Sequence, residues 1–261
     1  MKRNDGSMVE TPPPVLGFEV SCRIDEPAPG AWNMAIDEAM LEAAAASGTA
    51  YLRFYQWTEP TLSLGYFQKS SDRDQHQASR DCAVVRRSSG GGAILHDREL
   101  TYSVILPAAH PLARRAEDLY LATHRSLAAV LASFGVPAEV RRPVANQAGS
   151  QPFLCFARRG QGDLLVGEVK IAGSAQRRHR GAVLQHGSIL LDTSPAAPEL
   201  PGIREVAGVR LSPRQLTEAW RPRLAASLNL SEKEHKSTEL DGTRIHTFVL
   251  QFSAAEWTLR R

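Results

Sequence analysis

Several features that reveal a protein's class are scarce or missing in this 261-residue sequence. It has 3 cysteines, Cys22, Cys82 and Cys155, whose wide spacing fits neither a disulfide framework nor a zinc site. No apolar run approaches the roughly 20 residues that span a bilayer, and residues 1–16 lack the apolar core of a signal peptide. We therefore expect a protein of the reducing cytoplasm that has no metal site and is neither exported nor embedded in a membrane.

The sequence also has little net charge. Its 31 Lys and Arg residues against 28 Asp and Glu residues give +3 at pH 7, too little to indicate nucleic-acid binding. Residues 177–180 form a local basic run, and Arg158 and Arg159 form another. These runs predict either a solvated face or a rim that attracts an acidic partner.

Strand-like segments outnumber helical ones and mostly follow one another. Strands are predicted at residues 17–24, 50–56, 61–67, 82–87, 101–106, 138–141, 163–166, 168–172, 181–191 and 243–252, and helices at 32–46, 116–134 and 212–228. This order predicts an α+β fold with a mixed, largely antiparallel sheet covered by helices. We expect a disordered leader at 1–16 and one domain at 17–261, with a polar linker near 231–239 and a C-terminal tail at 240–261.

Three consecutive glycines, Gly90, Gly91 and Gly92, lie between Arg87 and His96. Without side chains, their backbone can lie against a ligand, and successive N–H groups can converge on an oxyanion or a phosphate. The spacing matches neither the dinucleotide fingerprint nor the P-loop. A plain turn explains a glycine triplet equally well, but the neighbouring arginine and histidine favour a binding role.

Cys155 and Lys170 suggest acyl-transfer chemistry. Cys155 lies in the apolar segment Phe-Leu-Cys-Phe, and Lys170 begins the segment Lys-Ile-Ala-Gly-Ser. A nearby cation favours the nucleophilic thiolate, and a desolvated lysine can supply that charge and pass protons. Taken separately, the cysteine would be a small buried hydrophobe and the lysine a solvated strand residue. The hypothesis therefore requires that the two side chains meet.

Four motifs together resemble the biotin/lipoate protein ligase and octanoyltransferase superfamily. They are Asn-Met-Ala-x-Asp-Glu-Ala at 33–39, Pro-Thr-Leu-Ser-Leu-Gly-Tyr-Phe-Gln at 60–68, Arg-Arg-x-x-Gly-Gly-Gly-Ala-x-x-His-Asp at 86–97 and Lys-Ile-Ala-Gly-Ser-Ala-Gln at 170–176. The resemblance covers roughly residues 30–191. It implies the fold of the biotin protein ligase catalytic domain, which is related to class II synthetases.

The resemblance implies a choice between two chemistries. Lipoate ligases activate a free acid with ATP and need no nucleophilic cysteine. LipM-type octanoyltransferases instead take an octanoyl thioester from acyl carrier protein onto a cysteine that precedes the lysine, as Cys155 precedes Lys170. Such an enzyme needs no bound cofactor and passes the octanoyl group to a lysine of a lipoyl domain or a glycine-cleavage H-type protein, in lipoate biosynthesis.

Three alternatives remain open at this point. One is an ATP-dependent lipoate ligase, the second an amidotransferase that moves octanoyl between lipoyl-accepting proteins, and the third a non-catalytic binder of lipoyl domains. The basic runs fit any of them, because acyl carrier protein and lipoyl domains are acidic.

The resemblance also implies substrate-binding residues. Backbone N–H groups at Gly173 and Ser174, or at the glycine triplet, would receive the tetrahedral oxyanion. His96 and His186 would line the acyl or lysine tunnel, unless they are structural histidines. Arg87 belongs to the same binding motif.

Two departures from the LipM pattern stand out. That pattern usually has arginine where this chain has Gly92, and Pro-Ser and Tyr-Glu where this chain has Arg-Arg-Gly-Gln-Gly-Asp at 158–163. The glycines and charges in the second segment predict that the loop carrying Cys155 is mobile until substrate binds.

Overall fold

The computed structural model describes residues 17–142, 152–232 and 240–260. Within them the chain forms eleven strands and six α-helices. The strands are β1 Phe18–Ile24, β2 Ala50–Tyr55, β3 Thr61–Leu64, β4 Ala83–Arg86, β5 Ile94–His96, β6 Glu99–Leu106, β7 Ala138–Val140, β8 Leu164–Val166, β9 Val169–His179, β10 Ala182–Leu190 and β11 Leu230–Glu232. The helices are α1 Gly30–Ser47, α2 Ala116–Ser133, α3 Ile203–Ala207, α4 Pro213–Ser227, α5 Gly242–Ser253 and α6 Ala255–Thr258.

Eight strands form one sheet in the order β11-β1-β2-β6-β10-β9-β8-β7. The pairs β11-β1 and β1-β2 are parallel, and the other five pairs are antiparallel. A smaller sheet has the order β4-β3-β5. The predicted α+β fold with a mixed, largely antiparallel sheet is therefore confirmed.

Helices cover both faces of the large sheet. Successive side chains of a strand point to opposite faces, so Leu52 packs with Leu127 of α2 and Trp220 of α4, while Tyr51 packs with Met40 of α1. All five residues are buried. The sheet is thus shielded from water along its centre, which allows polar groups placed between its strands and α1 to be buried as well.

The strand β9 is longer than the sequence predicted. The prediction ended the strand at Ala172, because residues 173–179 are small, polar or basic, whereas β9 continues to His179. It pairs with β10 over this whole stretch, from Ala172 opposite Ile189 to His179 opposite Ala182. Backbone pairing across the sheet overrides the weak strand propensity of these residues.

The predicted strand at 243–252 is wrong, because this segment is the helix α5. Its β-branched residues favoured a strand, but Asp241 caps the helix by accepting from the N–H groups of Thr243 and Arg244. Phe248 and Phe252, four residues apart, are buried in one cluster with residues of α1. Tertiary packing therefore decides the structure.

The predicted linker begins within β11, which pairs in parallel with β1. Residues 233–239 of that linker and the predicted leader at 1–16 lie outside the described residues.

Candidate active site

The structure brings Cys155 and Lys170 together. Cys155 opens a one-turn 3-10 helix, and its N–H donates to the carbonyl of Ala93, 2.7 Å away. Lys170 lies on β9, with its Nζ 3.7 Å from Sγ of Cys155 and 3.4 Å from the Cys155 carbonyl oxygen. The lysine is buried and the cysteine half-buried. The amine and the sulfur therefore lie within hydrogen-bonding distance of each other.

A buried carboxylate, which the sequence reasoning did not assign to the site, pairs with the lysine. Oδ2 of Asp163 lies 2.9 Å from Nζ of Lys170, and the two side chains are only 5% and 4% exposed. The side chain of Asp163 also accepts from the N–H of Gly160 at 2.6 Å and from the hydroxyl of Tyr120 at 2.7 Å. A buried ammonium needs such a counter-charge to keep its proton.

The β8-β9 hairpin explains this pairing. Its turn at Gly167 pairs Val166 with Val169 and Leu165 with Lys170. A register shift then pairs Leu164 with Ala172, so Asp163, directly before β8, comes to lie against Gly173. Gly167, which lies between the strands predicted at 163–166 and 168–172, was the signal in the sequence that would have placed the acid beside the lysine.

Gly173 and Ser174 lie beside the lysine, in different roles. A Cβ on Gly173 would lie 2.5 Å from Cε and 2.7 Å from Nζ of Lys170, so only glycine leaves room for the ammonium here. The N–H of Ser174 donates to Tyr120 Oη at 3.0 Å and is not available to an oxyanion in this arrangement. The Ser174 hydroxyl contacts the hydroxyl of Tyr102 and Nε2 of His124.

Arg87 holds the glycine triplet in place. Its guanidinium donates to the carbonyl groups of Gly90 and Gly92, both at 2.7 Å. Burial lowers the pKa of Arg87 to about 10, and the interaction with Cys155 opposes that shift, so the arginine is a second cation near the thiol. No backbone acceptor is found for the N–H groups of the triplet among the described residues.

Gly92 and the segment at 158–163, which both depart from the LipM pattern, lie next to each other in the structure. A Cβ on Gly92 would lie 3.1 Å from Cζ of Arg158 and 3.3 Å from the carbonyl oxygen of Phe153. The guanidinium of Arg158 therefore occupies the space that a side chain at position 92 would need.

The two predicted histidines line one small cavity. Its wall consists of Met34, Tyr55, Trp57, Arg87, Ile94, His96, Thr101, Ala175, His186, Gly187 and Ser188, and its volume is about 20 Å³, enough for about one water molecule. His96 stacks on Trp57 with 3.9 Å between ring centroids, and its nitrogens lie 2.6 Å from Glu99 Oε1 and 2.7 Å from Ser63 Oγ.

His186 connects this cavity to a buried polar network. Its Nε2 lies 2.5 Å from Oγ of Ser89, and its Nδ1 lies 3.1 Å from Oδ2 of Asp37. Asp37 on α1 also accepts from Arg53 at 2.9 Å and from Tyr55 at 3.1 Å. Burial opposes ionisation of Asp37, but the hydrogen bond from His186 and the charge of Arg53 lower its pKa. The network fixes the His186 ring between α1 and β10.

In the part of the chain that the structure describes, no group of three or more His, Cys, Asp or Glu side chains is arranged to hold a metal ion. Nor does any helix of that part have the length and apolar character needed to cross a bilayer.

The chain is similar to several known proteins. The model of the lipoyl protein ligase A/B catalytic domain family matches residues 29–204. Octanoyltransferase LipM of Kyrpidia tusciae is 31% identical, over 88% of this chain and 95% of the relative. The protein of the same name from Staphylococcus aureus is also 31% identical, over 88% of this chain and 94% of the relative.

Solved structures show the same fold at low identity. Ta0514 of T. acidophilum, described as a putative lipoate protein ligase with bound lipoic acid, superposes with a TM-score of 0.75 at 21% identity, covering 93% of this chain and 100% of its own. A lipoate-protein ligase A bound with ATP gives a TM-score of 0.73 at 22% identity, covering 93% of this chain and 99% of its own.

Proposed function

Because this chain belongs to the lipoyl protein ligase A/B catalytic domain family, we propose that it is an octanoyltransferase of lipoate biosynthesis that carries the acyl group on Cys155. The observation that supports this most is the 3.7 Å approach of the Lys170 ammonium to the Cys155 sulfur. ATP-dependent activation of a free acid has no need for a thiol in this position. The curated relatives that share most of this chain bear the name octanoyltransferase.

In the first half of the reaction, the Cys155 thiolate attacks the thioester carbon of octanoyl-acyl carrier protein. A new carbon–sulfur bond forms, and the negative charge moves to the carbonyl oxygen. When the carbonyl forms again, the bond to the carrier's sulfur breaks, and the carrier leaves as a thiol with a proton from Lys170. The N–H groups of Gly90, Gly91 and Gly92 receive the oxyanion, while Arg87 fixes the carbonyl groups of Gly90 and Gly92. One such donor contributes about 100- to 1000-fold in rate.

In the second half, a lysine amine of a lipoyl domain or an H-type protein attacks the acyl group on Cys155. A carbon–nitrogen bond forms, the bond to sulfur breaks, and a proton of the amine passes through Lys170 to the sulfur. The kinetics are therefore ping-pong, and the reaction requires neither ATP nor a metal ion.

The cavity that contains His96 and His186 receives the octanoyl chain. Since it has room for about one water molecule, its side chains must move apart before eight carbons fit. Met34, which is unbranched, has the side chain best suited to such movement. The setting of the reaction is the cytoplasm, where acyl carrier protein is found, and residues 17–261 act as one catalytic domain.

An ATP-dependent ligase is the second candidate. The N–H groups of the triplet are also suited to a phosphate. One mixture should contain octanoyl-acyl carrier protein and a lipoyl domain without ATP, and another should contain free octanoate, ATP and the same domain. Octanoyl transfer in the first mixture, with no AMP released in the second, is the expected result. AMP release together with an unmodified domain in the first mixture would favour the ligase instead.

A further inference from the structure

We propose that Asp163 is a positioning residue that keeps the Lys170 ammonium aimed at the Cys155 sulfur, and that Tyr120 and His124 of α2 hold the loop that carries Asp163. This inference rests on the proposed function, because it assigns a role to residues around the same nucleophile. It also accounts for the segment at 158–163, where the sequence departs from the LipM pattern.

Three groups from different parts of the chain contact the carboxylate of Asp163. Its oxygens contact the Lys170 Nζ at 2.9 Å, the Gly160 N–H at 2.6 Å and the Tyr120 hydroxyl at 2.7 Å. Because Lys170 also lies 3.7 Å from the Cys155 sulfur, the ammonium is held between the carboxylate and the thiol. Acyl-transfer triads have the same order of carboxylate, proton-carrying base and nucleophile, and in them the carboxylate orients the base.

Two side chains one turn apart on α2 anchor the loop. The Tyr120 hydroxyl donates to Asp163 and accepts from the N–H of Ser174, so it joins the loop to β9. His124 Nδ1 lies 2.7 Å from the Gly162 carbonyl oxygen, which can only accept, so this nitrogen carries the proton. Burial lowers the pKa of His124 to about 4, and the ring is neutral at pH 7. Its Nε2 then accepts from the Ser174 hydroxyl.

Glycine in the loop makes this anchoring possible. Gly162 has a φ of 84°, which other residues adopt only with strain, and a Cβ there would lie 2.8 Å from the Tyr120 ring. The loop can therefore pack closely against α2 only with glycine at this position. The glycines and the acid that interrupt the LipM pattern thus form one structural unit around Lys170.

The chemical consequence concerns the proton on Lys170. A buried amine without a counter-charge loses its proton, because burial penalises the charged form. A neutral lysine would no longer stabilise the Cys155 thiolate. Removing the Asp163 charge should therefore lower the reactivity of Cys155 at neutral pH, although Asp163 does not touch the sulfur.

The test is the rate at which iodoacetamide alkylates Cys155 between pH 5 and pH 10, followed by peptide mass spectrometry so that Cys22 and Cys82 are counted separately. Asp163→Asn is compared with wild type, with Asp163→Glu and with Gln161→Ala, which alters an exposed side chain of the same loop that donates to Glu117 and contacts neither Asp163 nor Lys170. At pH 7 the Asp163→Asn rate should fall at least about 10-fold, and its half-maximum should move to higher pH. Asp163→Glu should recover most of the rate, and Gln161→Ala should match wild type. The size of the expected fall in the alkylation rate follows from the roughly 100-fold loss of rate that a 1 Å misplacement of a reacting group causes.

Unchanged or faster alkylation in folded Asp163→Asn would overturn the proposal. If that variant does not fold, as judged by its thermal transition, Tyr120→Phe provides the same test with a smaller expected loss, and an unchanged rate there overturns the proposal too. Alkylation needs no acyl donor. Failure of wild type to accept octanoyl would therefore count against the proposed function, while the alkylation rates still decide the role of Asp163.

Discussion

Two buried carboxylates in this molecule have similar surroundings but different cationic partners. Asp37 is paired with Arg53 and accepts from Tyr55, Ser103 and His186. Asp163 is paired with Lys170 and accepts from Tyr120 and a backbone N–H. Arginine presents several donors in a rigid fork and does not give up its proton in proteins, whereas lysine can exchange a proton when it is buried.

The difference separates a structural ion pair from a reactive one. The Asp37 pair lies between α1 and the sheet, where it fixes elements and orients His186. The Asp163 pair ends at a half-buried thiol, and the cation is held by a loop and a hairpin. We infer that the Asp163 pair is reactive because its cation, Lys170, can exchange a proton. Burial alone does not distinguish it, because both carboxylates are buried.

The substitution Lys170→Arg tests that distinction most strongly. It keeps the positive charge near Cys155 but removes a group that can pass protons, which typically contributes about 100- to 10,000-fold. We expect octanoyl transfer to the lipoyl domain to fall by about 1000-fold, while alkylation of Cys155 at pH 7 persists because the charge remains. Octanoyl transfer at the wild-type rate in Lys170→Arg would mean that Lys170 acts through its charge alone, and equal loss of both activities would mean that the shape of its side chain matters more than proton exchange.

Breaking the structural pair should mainly affect stability. Asp37→Asn leaves part of the buried Arg53 charge unmatched, so we expect the free energy of unfolding in urea to fall by about 3–5 kcal/mol. Glu42→Gln on the same helix removes a more exposed pair with Arg244 and should lower the free energy of unfolding far less. Similar losses in the two variants would show that Asp37 is not a structural anchor.

The pH dependence of stability tests the anchor on α2. The folded pKa of His124, about 4, lies below its ordinary value of 6.5, so the unfolded chain binds a proton first as the pH falls. The stability that neutral His124 provides is complete above pH 6.5 and is lost down to pH 4, by about 3 kcal/mol in total. Urea titrations of wild type and His124→Gln should therefore converge as the pH falls. Parallel losses in the two proteins would contradict this account.

Gly173→Ala is a smaller disturbance of the reactive pair. The new Cβ would lie 2.5 Å from Cε of Lys170, and the ammonium must shift to avoid it. We expect acyl transfer to fall by about 100-fold, the typical cost of a 1 Å misplacement. Gly242→Ala is the matched control, because a Cβ there meets nothing within 4 Å. Wild-type activity in both variants would show that the position of the ammonium is not critical.

The sequence predicted the sheet, α1, α2, α4 and the importance of Cys155 and Lys170, because periodicity and motifs are local properties. It missed α5, where burial of Phe248 and Phe252 outweighs β-branched propensity. It also missed Asp163 and Tyr120, which meet the lysine only through hairpin register and helix packing. The roles of the site residues remain predictions.

The most direct measurement is the intact mass of the protein after mixing with octanoyl-acyl carrier protein in the absence of ATP, beside a Cys155→Ala variant. We expect one octanoyl adduct on wild type, removable by hydroxylamine as a thioester is, and none on the variant. Absence of the adduct from folded wild type, or its presence on Cys155→Ala, would contradict the central claim that Cys155 carries the acyl group.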